Sequence, residues 1–104
     1  MNKKNIPSTD NLSRVIALLQ SEQEISGFLV DLLSPTEISE FSRRFKVAQM
    51  LESNKNYKEI EKITGMSSTT IARISKCLKE NTGYKNAISL LKSVTDKHHT
   101  GHRS

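Results

Sequence analysis

The chain has 104 residues, a net charge of +5, 35% hydrophobic content, only four glycines and two prolines, and a single cysteine. That length points to one domain, and scarce Gly and Pro with frequent charges favour an all-α fold. Cys77 alone excludes an internal disulfide and suits a reducing compartment, and no secretory h-region or membrane-length apolar run occurs, so a cytoplasmic protein without membrane contact is expected.

Residues 1–8 are polar and hold a proline, and are expected to form a flexible arm. A first helix is predicted from Asp10 to about Ser21, capped by Thr9 or Asp10, with Leu12, Val15, Ile16 and Leu19 along one face. A second follows from about Glu22 to Leu33, with Ile25, Phe28, Leu29, Leu32 and Leu33 as a broad apolar face. Faces this apolar in so short a chain suit a dimer core as well as a monomer core. Ser34-Pro35-Thr36-Glu37 is a sharp start signal. Ser34 caps, proline takes the first helical position, and Glu37 closes a capping box. The third helix should run to about Ser53 on a stripe of Ile38, Phe41, Phe45, Ala48 and Leu51, with Arg43, Arg44 and Lys46 clustered on it. Ser53-Asn54-Lys55-Asn56 reads as a polar linker.

The stretch 57–79 carries the strongest functional signal. Tyr57, Ile60 and Ile63 mark one face of a short helix, Gly65 stops it, and Ser67 caps the next. Ile71, Ile74 and Leu78 then give the next helix its buried face. This is the plan of a helix-turn-helix, whose second helix enters the major groove of double-stranded DNA. Its opposite stripe holds Ser68, Thr69, Ala72, Arg73 and Lys76. Short hydroxyl side chains permit close approach, arginine suits a bidentate bond to guanine, and lysine suits phosphate. The bland alternative is an ordinary solvated face. Charge favours the groove reader: residues 1–52 carry six Lys/Arg against seven Asp/Glu, a balance of −1, and residues 53–104 carry ten against four, a balance of +6.

Residues 80–83 read as a second linker with Gly83 as a stop or turn, and a last helix is predicted from Tyr84 to about Asp96 on Ala87, Ile88, Leu91 and Val94. The domain is thus expected to span 9–96, with 97–104 as a flexible tail. His98, His99 and His102 in that tail lack a Cys or carboxylate framework, so no metal site is expected. No nucleophile–base pair, phosphate-binding glycine loop or paired-carboxylate pattern occurs, and an enzyme is not expected.

The run from Leu33 to Leu78 resembles the Trp repressor superfamily, and more closely its YerC/YecD branch. The carriers are Leu33-Ser34-Pro35-Thr36-Glu37, the helix from Arg44 to Leu51, and Tyr57-Lys58-Glu59-Ile60 through Ile63-Thr64-Gly65-Met66-Ser67. Ile71, Arg73, Ser75, Lys76, Cys77 and Leu78 continue it. The resemblance implies about six helices in an intertwined homodimer that binds DNA and controls transcription. It makes Lys58 a phosphate or base-edge contact, Ser68, Thr69, Thr70 and Arg73 recognition positions, and Lys79 a backbone contact. With Ser67 and Lys76, these form the expected DNA-binding set. The alternative is a helical protein-interaction module, which would not need the basic balance of the second half.

Departures from the family pattern bear on its ligand. Trp repressors hold tryptophan between two arginines, matched by Arg44 and Arg73, so Arg44, Arg73, Ile74 and Cys77 outline a candidate effector pocket. Ile74 stands where the family has a glycine that makes room for the indole, and Cys77 replaces a serine that bonds the ligand. Added volume and a lost polar partner both oppose binding, so weak or absent tryptophan binding is expected and no cofactor is assigned. Glu61 also departs, taking a position usually held by a small residue; it is expected to turn outward or to pair with Lys58 or Lys62.

Overall fold

The computed structural model describes the backbone of residues 8–103 and the side chains of residues 8–95. Six α-helices follow one another: α1 (Leu12–Leu18), α2 (Glu22–Leu32), α3 (Pro35–Glu52), α4 (Tyr57–Thr64), α5 (Ser68–Glu80) and α6 (Gly83–Arg103). The described residues contain no strand, which bears out the all-α expectation. Of the expected arm over residues 1–8, all but Ser8 lies outside the described residues.

The chain resolves into two compact units, one ending at Ile38 and the other beginning at Ser39. In the first unit, α1 is shorter than predicted. Asp10 takes a left-handed backbone (φ 50°), its N–H donates to Ser8 Oγ at 3.1 Å, and helix starts only after Asn11, whose side chain makes no capping bond. Neither Thr9 nor Asp10 caps α1. The helix stops at Leu18 because Ser21 is needed in an extended conformation, where its hydroxyl accepts the Glu24 N–H at 3.0 Å and caps α2. The capping box at α3 forms as read: the Glu37 N–H donates to Ser34 Oγ at 3.1 Å and the Ser34 N–H to Glu37 Oε1 at 2.9 Å. No described residue of this unit is buried, and Leu18 and Val30 are 69% and 64% exposed.

The second unit holds the core. Val47, Ala48 and Met50 of α3, Ile60 of α4, Met66 of the turn, Ile71, Ile74 and Leu78 of α5 and Ile88 of α6 form one buried cluster. The inner face of α3 is rotated from the predicted stripe. Val47 and Met50 are buried, Phe45 and Leu51 pack at the margin, and Phe41 is exposed.

The presumed linker after α3 is a pair of helix-end devices. Asn54 adopts φ 64°; its N–H reaches the Leu51 carbonyl at 3.0 Å and the Lys55 N–H reaches the Met50 carbonyl at 3.0 Å. This pattern closes α3 as a Schellman motif. Two residues later Asn56 caps α4: its Oδ1 accepts the Glu59 N–H at 2.9 Å, and Glu59 Oε1 accepts the Asn56 N–H at 3.3 Å.

The last helix differs in its bounds from the one predicted. Gly83 is the first residue of α6 rather than a stop, and helix continues to Arg103. No proline interrupts this stretch, and the one glycine after Gly83, Gly101, lowers helix propensity without forbidding it. Of the predicted α6 face, Ile88 is buried, whereas Ala87, Leu91 and Val94 are exposed.

The turn between α4 and α5 depends on Gly65 at φ 75°, and asparagine at position 56 supplies two bonds of a cap. Gly65→Ala is expected to lower stability by about 1–2 kcal/mol, because a Cβ strains a left-handed backbone. Asn56→Ala is expected to cost about 1 kcal/mol. Denaturant unfolding followed by circular dichroism measures both, and an unchanged midpoint for Gly65→Ala contradicts the strain argument.

Candidate nucleic-acid interface

The α4–turn–α5 unit is built from its inner face outward. Ile60 and Ile71 are both fully buried, one on each helix. Between them the chain reverses at Gly65, whose N–H donates to the Glu61 carbonyl at 2.8 Å. Thr64 stabilises the reversal from inside. Its hydroxyl donates to the Ile60 carbonyl at 2.7 Å and accepts the Met66 N–H at 3.2 Å. A buried polar side chain needs such partners, and among the described residues no buried side-chain nitrogen or oxygen is left without one. Ser67 then starts α5 by accepting the Thr70 N–H at 3.2 Å.

Helical periodicity places the rest. With Ile71, Ile74 and Leu78 inward, Ser68, Thr69, Ala72, Arg73 and Lys76 face out, and all five are exposed. Lys58 and Lys79 are exposed as well. Ser67 is exposed, but its hydroxyl is committed to the cap and also donates to Thr70 Oγ1 at 3.2 Å. Thr70 is half-buried and turns toward a cleft behind α5. The outward stripe of α5 is therefore the one read from the sequence: Ser68, Thr69, Ala72, Arg73 and Lys76.

The cations of this face have no carboxylate partner. Among the described residues the one ion pair is Arg44 with Glu40, at 3.2 Å. Glu61 pairs with neither Lys58 nor Lys62 and is half-buried rather than turned fully outward. Ile63, predicted as an inner residue of α4, is 60% exposed. An eight-residue helix has room for one buried line, and Ile60 and Thr64 occupy it at a spacing of one turn.

Behind α5 lies a cavity of about 160 Å³ lined by Arg44, Thr70, Arg73, Ile74, Cys77 and Tyr84. The four residues nominated from sequence as an effector pocket thus line one cleft. Ile74 is only 4% exposed and contributes bulk to its wall. Tyr84 was missed. The signal was the short Asn81–Thr82 connection, which holds the first turn of α6 near the end of α5. The Asn81 side-chain amide reaches Cys77 Sγ at 3.5 Å, and the Tyr84 ring stacks on Phe45 with centroids 6.5 Å apart. Burial raises the Tyr84 pKa above 10.0, the nearby Cys77 adds to this, and Arg44 partly opposes it. Arg44 itself lies over the Phe41 ring, 5.6 Å from its centroid. The metal expectation for His98, His99 and His102 falls on side chains outside the described residues.

The six-helix order and the α4–turn–α5 unit are those of one family. The sequence model of the family described as Trp repressor protein matches residues 8–92, and the chain belongs to that family. Its place is in the YerC-related branch. It is 36% identical over 86 residues to a Bacillus subtilis (strain 168) protein named "Uncharacterized protein YerC", covering 82% of this chain and 83% of that one. The fold is similar to the crystal structure of a TrpR-like protein from Eubacterium eligens ATCC 27750, with a TM-score of 0.77 and 32% identity, over 88% of this chain and 96% of that chain. Among the described residues, no helix is long and apolar enough to cross a membrane.

The Tyr84 environment gives a direct test. The folded state holds the phenolic proton more tightly than the unfolded chain, so the stability tied to it is present below pH 10 and is lost as pH rises through the folded value. Ultraviolet titration of wild type minus Tyr84→Phe is expected to show a tyrosinate transition displaced upward from 10.0. A transition at or below the ordinary value contradicts the burial described.

Proposed function

We propose that this protein is a sequence-specific DNA-binding transcriptional regulator that acts as a homodimer in the cytoplasm, carries out no enzymatic reaction and does not depend on tryptophan. The outward face of α5 carries this reading: Ser68, Thr69, Arg73 and Lys76 are exposed on the second helix of a helix-turn-helix, with no carboxylate pairing its cations among the described residues. In this reading Arg73 bonds a base edge, Ser68 and Thr69 permit close approach, and Lys58, Lys76 and Lys79 meet phosphate. The lysines neutralise backbone charge and set the salt dependence, whereas Arg73 discriminates between sequences.

Membership of the Trp repressor family supports the regulatory reading. The dimer is supported by the first unit, whose described apolar side chains are all left at least partly exposed, and by exposed Leu90, Leu91 and Val94 on α6. A second copy of the chain would cover such faces and present two copies of α5 to successive major grooves. Independence from tryptophan is supported by the buried Ile74 and by the small cleft, about 160 Å³ against the roughly 300 Å³ at the low end of small-molecule sites.

Binding to a preferred duplex is expected to weaken steeply with salt and to titrate at two protomers per site. Arg73→Ala is expected to cost about 1–3 kcal/mol on that duplex while changing binding to random DNA little. Lys79→Ala is expected to weaken binding to all sequences alike and to flatten the salt dependence. Tryptophan is expected to leave affinity unchanged and to give no heat of binding at micromolar concentration. Equal affinity for all sequences, unaltered by Arg73→Ala, contradicts the specific-regulator reading, and a micromolar tryptophan isotherm contradicts the steric argument.

A further inference from the structure

The cleft behind α5 joins three helices. Arg44 of α3, Thr70, Arg73, Ile74 and Cys77 of α5 and Tyr84 of α6 line it, and Phe45 of α3 packs on Tyr84. Two of these side chains already occupy much of the joint. Ile74 is buried, and the half-buried Tyr84 ring is stacked on Phe45 at an interplanar angle of 28°. The remaining space, about 160 Å³, falls below the ordinary size of a small-molecule pocket. Of the two cations that line it, Arg44 is held by Glu40 at 3.2 Å and lies over Phe41, while Arg73 is exposed and has no carboxylate partner among the described residues.

The cleft and the outward face are mechanically adjacent. Ile74 follows Arg73 directly, so the side chain that packs inward and the one offered outward sit on the same turn of α5. Packed interfaces shift between discrete arrangements rather than deforming continuously. The bulk of Ile74 and Tyr84 therefore sets how far α5 stands from α3 and α6, and with it the direction of Arg73.

We propose that Ile74 and Tyr84 form a built-in wedge that holds α5 at its DNA-reading angle with no bound effector, Tyr84 being a positioning residue supplied by α6. This deepens the proposed function and rests on it for the DNA readout. It makes the DNA-binding conformation constitutive. Control over the protein would then come through its amount or its partners rather than through a small molecule in this cleft. It also assigns the stack of Tyr84 on Phe45 a purpose that core packing alone does not require, namely setting the spacing between α6 and the reading helix.

Removing the ring should open an apolar cavity able to take a free aromatic molecule, as engineered apolar cavities do. The probe is phenol, which matches the atoms that Tyr84→Ala removes. Three quantities are read on the full-length protein: affinity for a preferred duplex, affinity for random DNA, and hydrogen exchange of the α5 amides. Tyr84→Ala is expected to lower specific affinity by about 3- to 30-fold and to speed α5 exchange. Phenol should restore both in the variant and change neither in the wild type, and Tyr84→Phe, which keeps the ring, should behave as wild type.

Ile74→Val, a milder trim of the same wedge, should weaken specific binding in the same direction by less. This arm decides the matter if Tyr84→Ala fails to fold. The proposal is overturned if folded Tyr84→Ala binds and exchanges as wild type, if phenol restores neither property, or if Ile74→Val leaves specific affinity and α5 exchange untouched. A wild type that binds no DNA would instead contradict the proposed function, while the exchange measurements would still decide whether the wedge exists.

Discussion

The reversal at Gly65 is the constraint on which the rest of the second unit depends. A left-handed backbone at φ 75° turns α4 into α5 within three residues, and the Thr64 hydroxyl bridges the Ile60 carbonyl and the Met66 N–H across it. Both bonds are buried, and losing one would leave a desolvated polar group at a cost of about 1–3 kcal/mol. The turn sets Ile60 and Ile71 on the same core, which fixes the rotation of α5 about its own axis. Once the inward residues are fixed, the 3.6-residue period leaves no choice about which ones face out. The face of α5 on which Arg73 lies thus follows from a threonine hydroxyl and a glycine backbone several residues away.

The core behind this turn is small. Among the described residues, nine buried apolar ones form it, all in the second unit, and the first unit contributes none. A chain of about this length is marginal when so much of its apolar surface stays wet. The exposed leucines and valines of α1, α2 and α6 are therefore informative, since large apolar side chains left wet are candidates for contact surfaces. In the proposed homodimer those faces become interior. DNA reading and self-association then use opposite sets of residues, basic and short on α5, aliphatic on the other helices.

Much of this order was legible in the sequence because it is local. The Ser34–Glu37 box, the Gly65 stop, the Ser67 cap and the Ile71, Ile74, Leu78 face each depend on residues within a turn or two, and all formed as read. What escaped notice was either mistaken chemistry or tertiary. Asn54 and Asn56 read as a loop because asparagine suits loops, yet one accepts a left-handed backbone and the other caps. Asp10 has the same left-handed tolerance, and it ended the expectation that it would cap α1. Ile63 and Phe41 carried the right period but lay off the line that the partner helices cover, and periodicity alone does not say how far a helix is rotated. Arg44, Arg73, Ile74 and Cys77 were nominated from family likeness, and the fold gathers them around one cleft. Tyr84 joins them through a short connection between helices, which no motif marks.

The central claim is that α5 reads a particular DNA sequence. Sequencing the fragments that the wild-type protein retains from sheared genomic DNA at moderate salt tests it most directly. The expected result is enrichment of a shared motif with two related half-sites about one helical turn, roughly 10 base pairs, apart. Retained fragments with no common motif, at a yield that tracks fragment length alone, would contradict it.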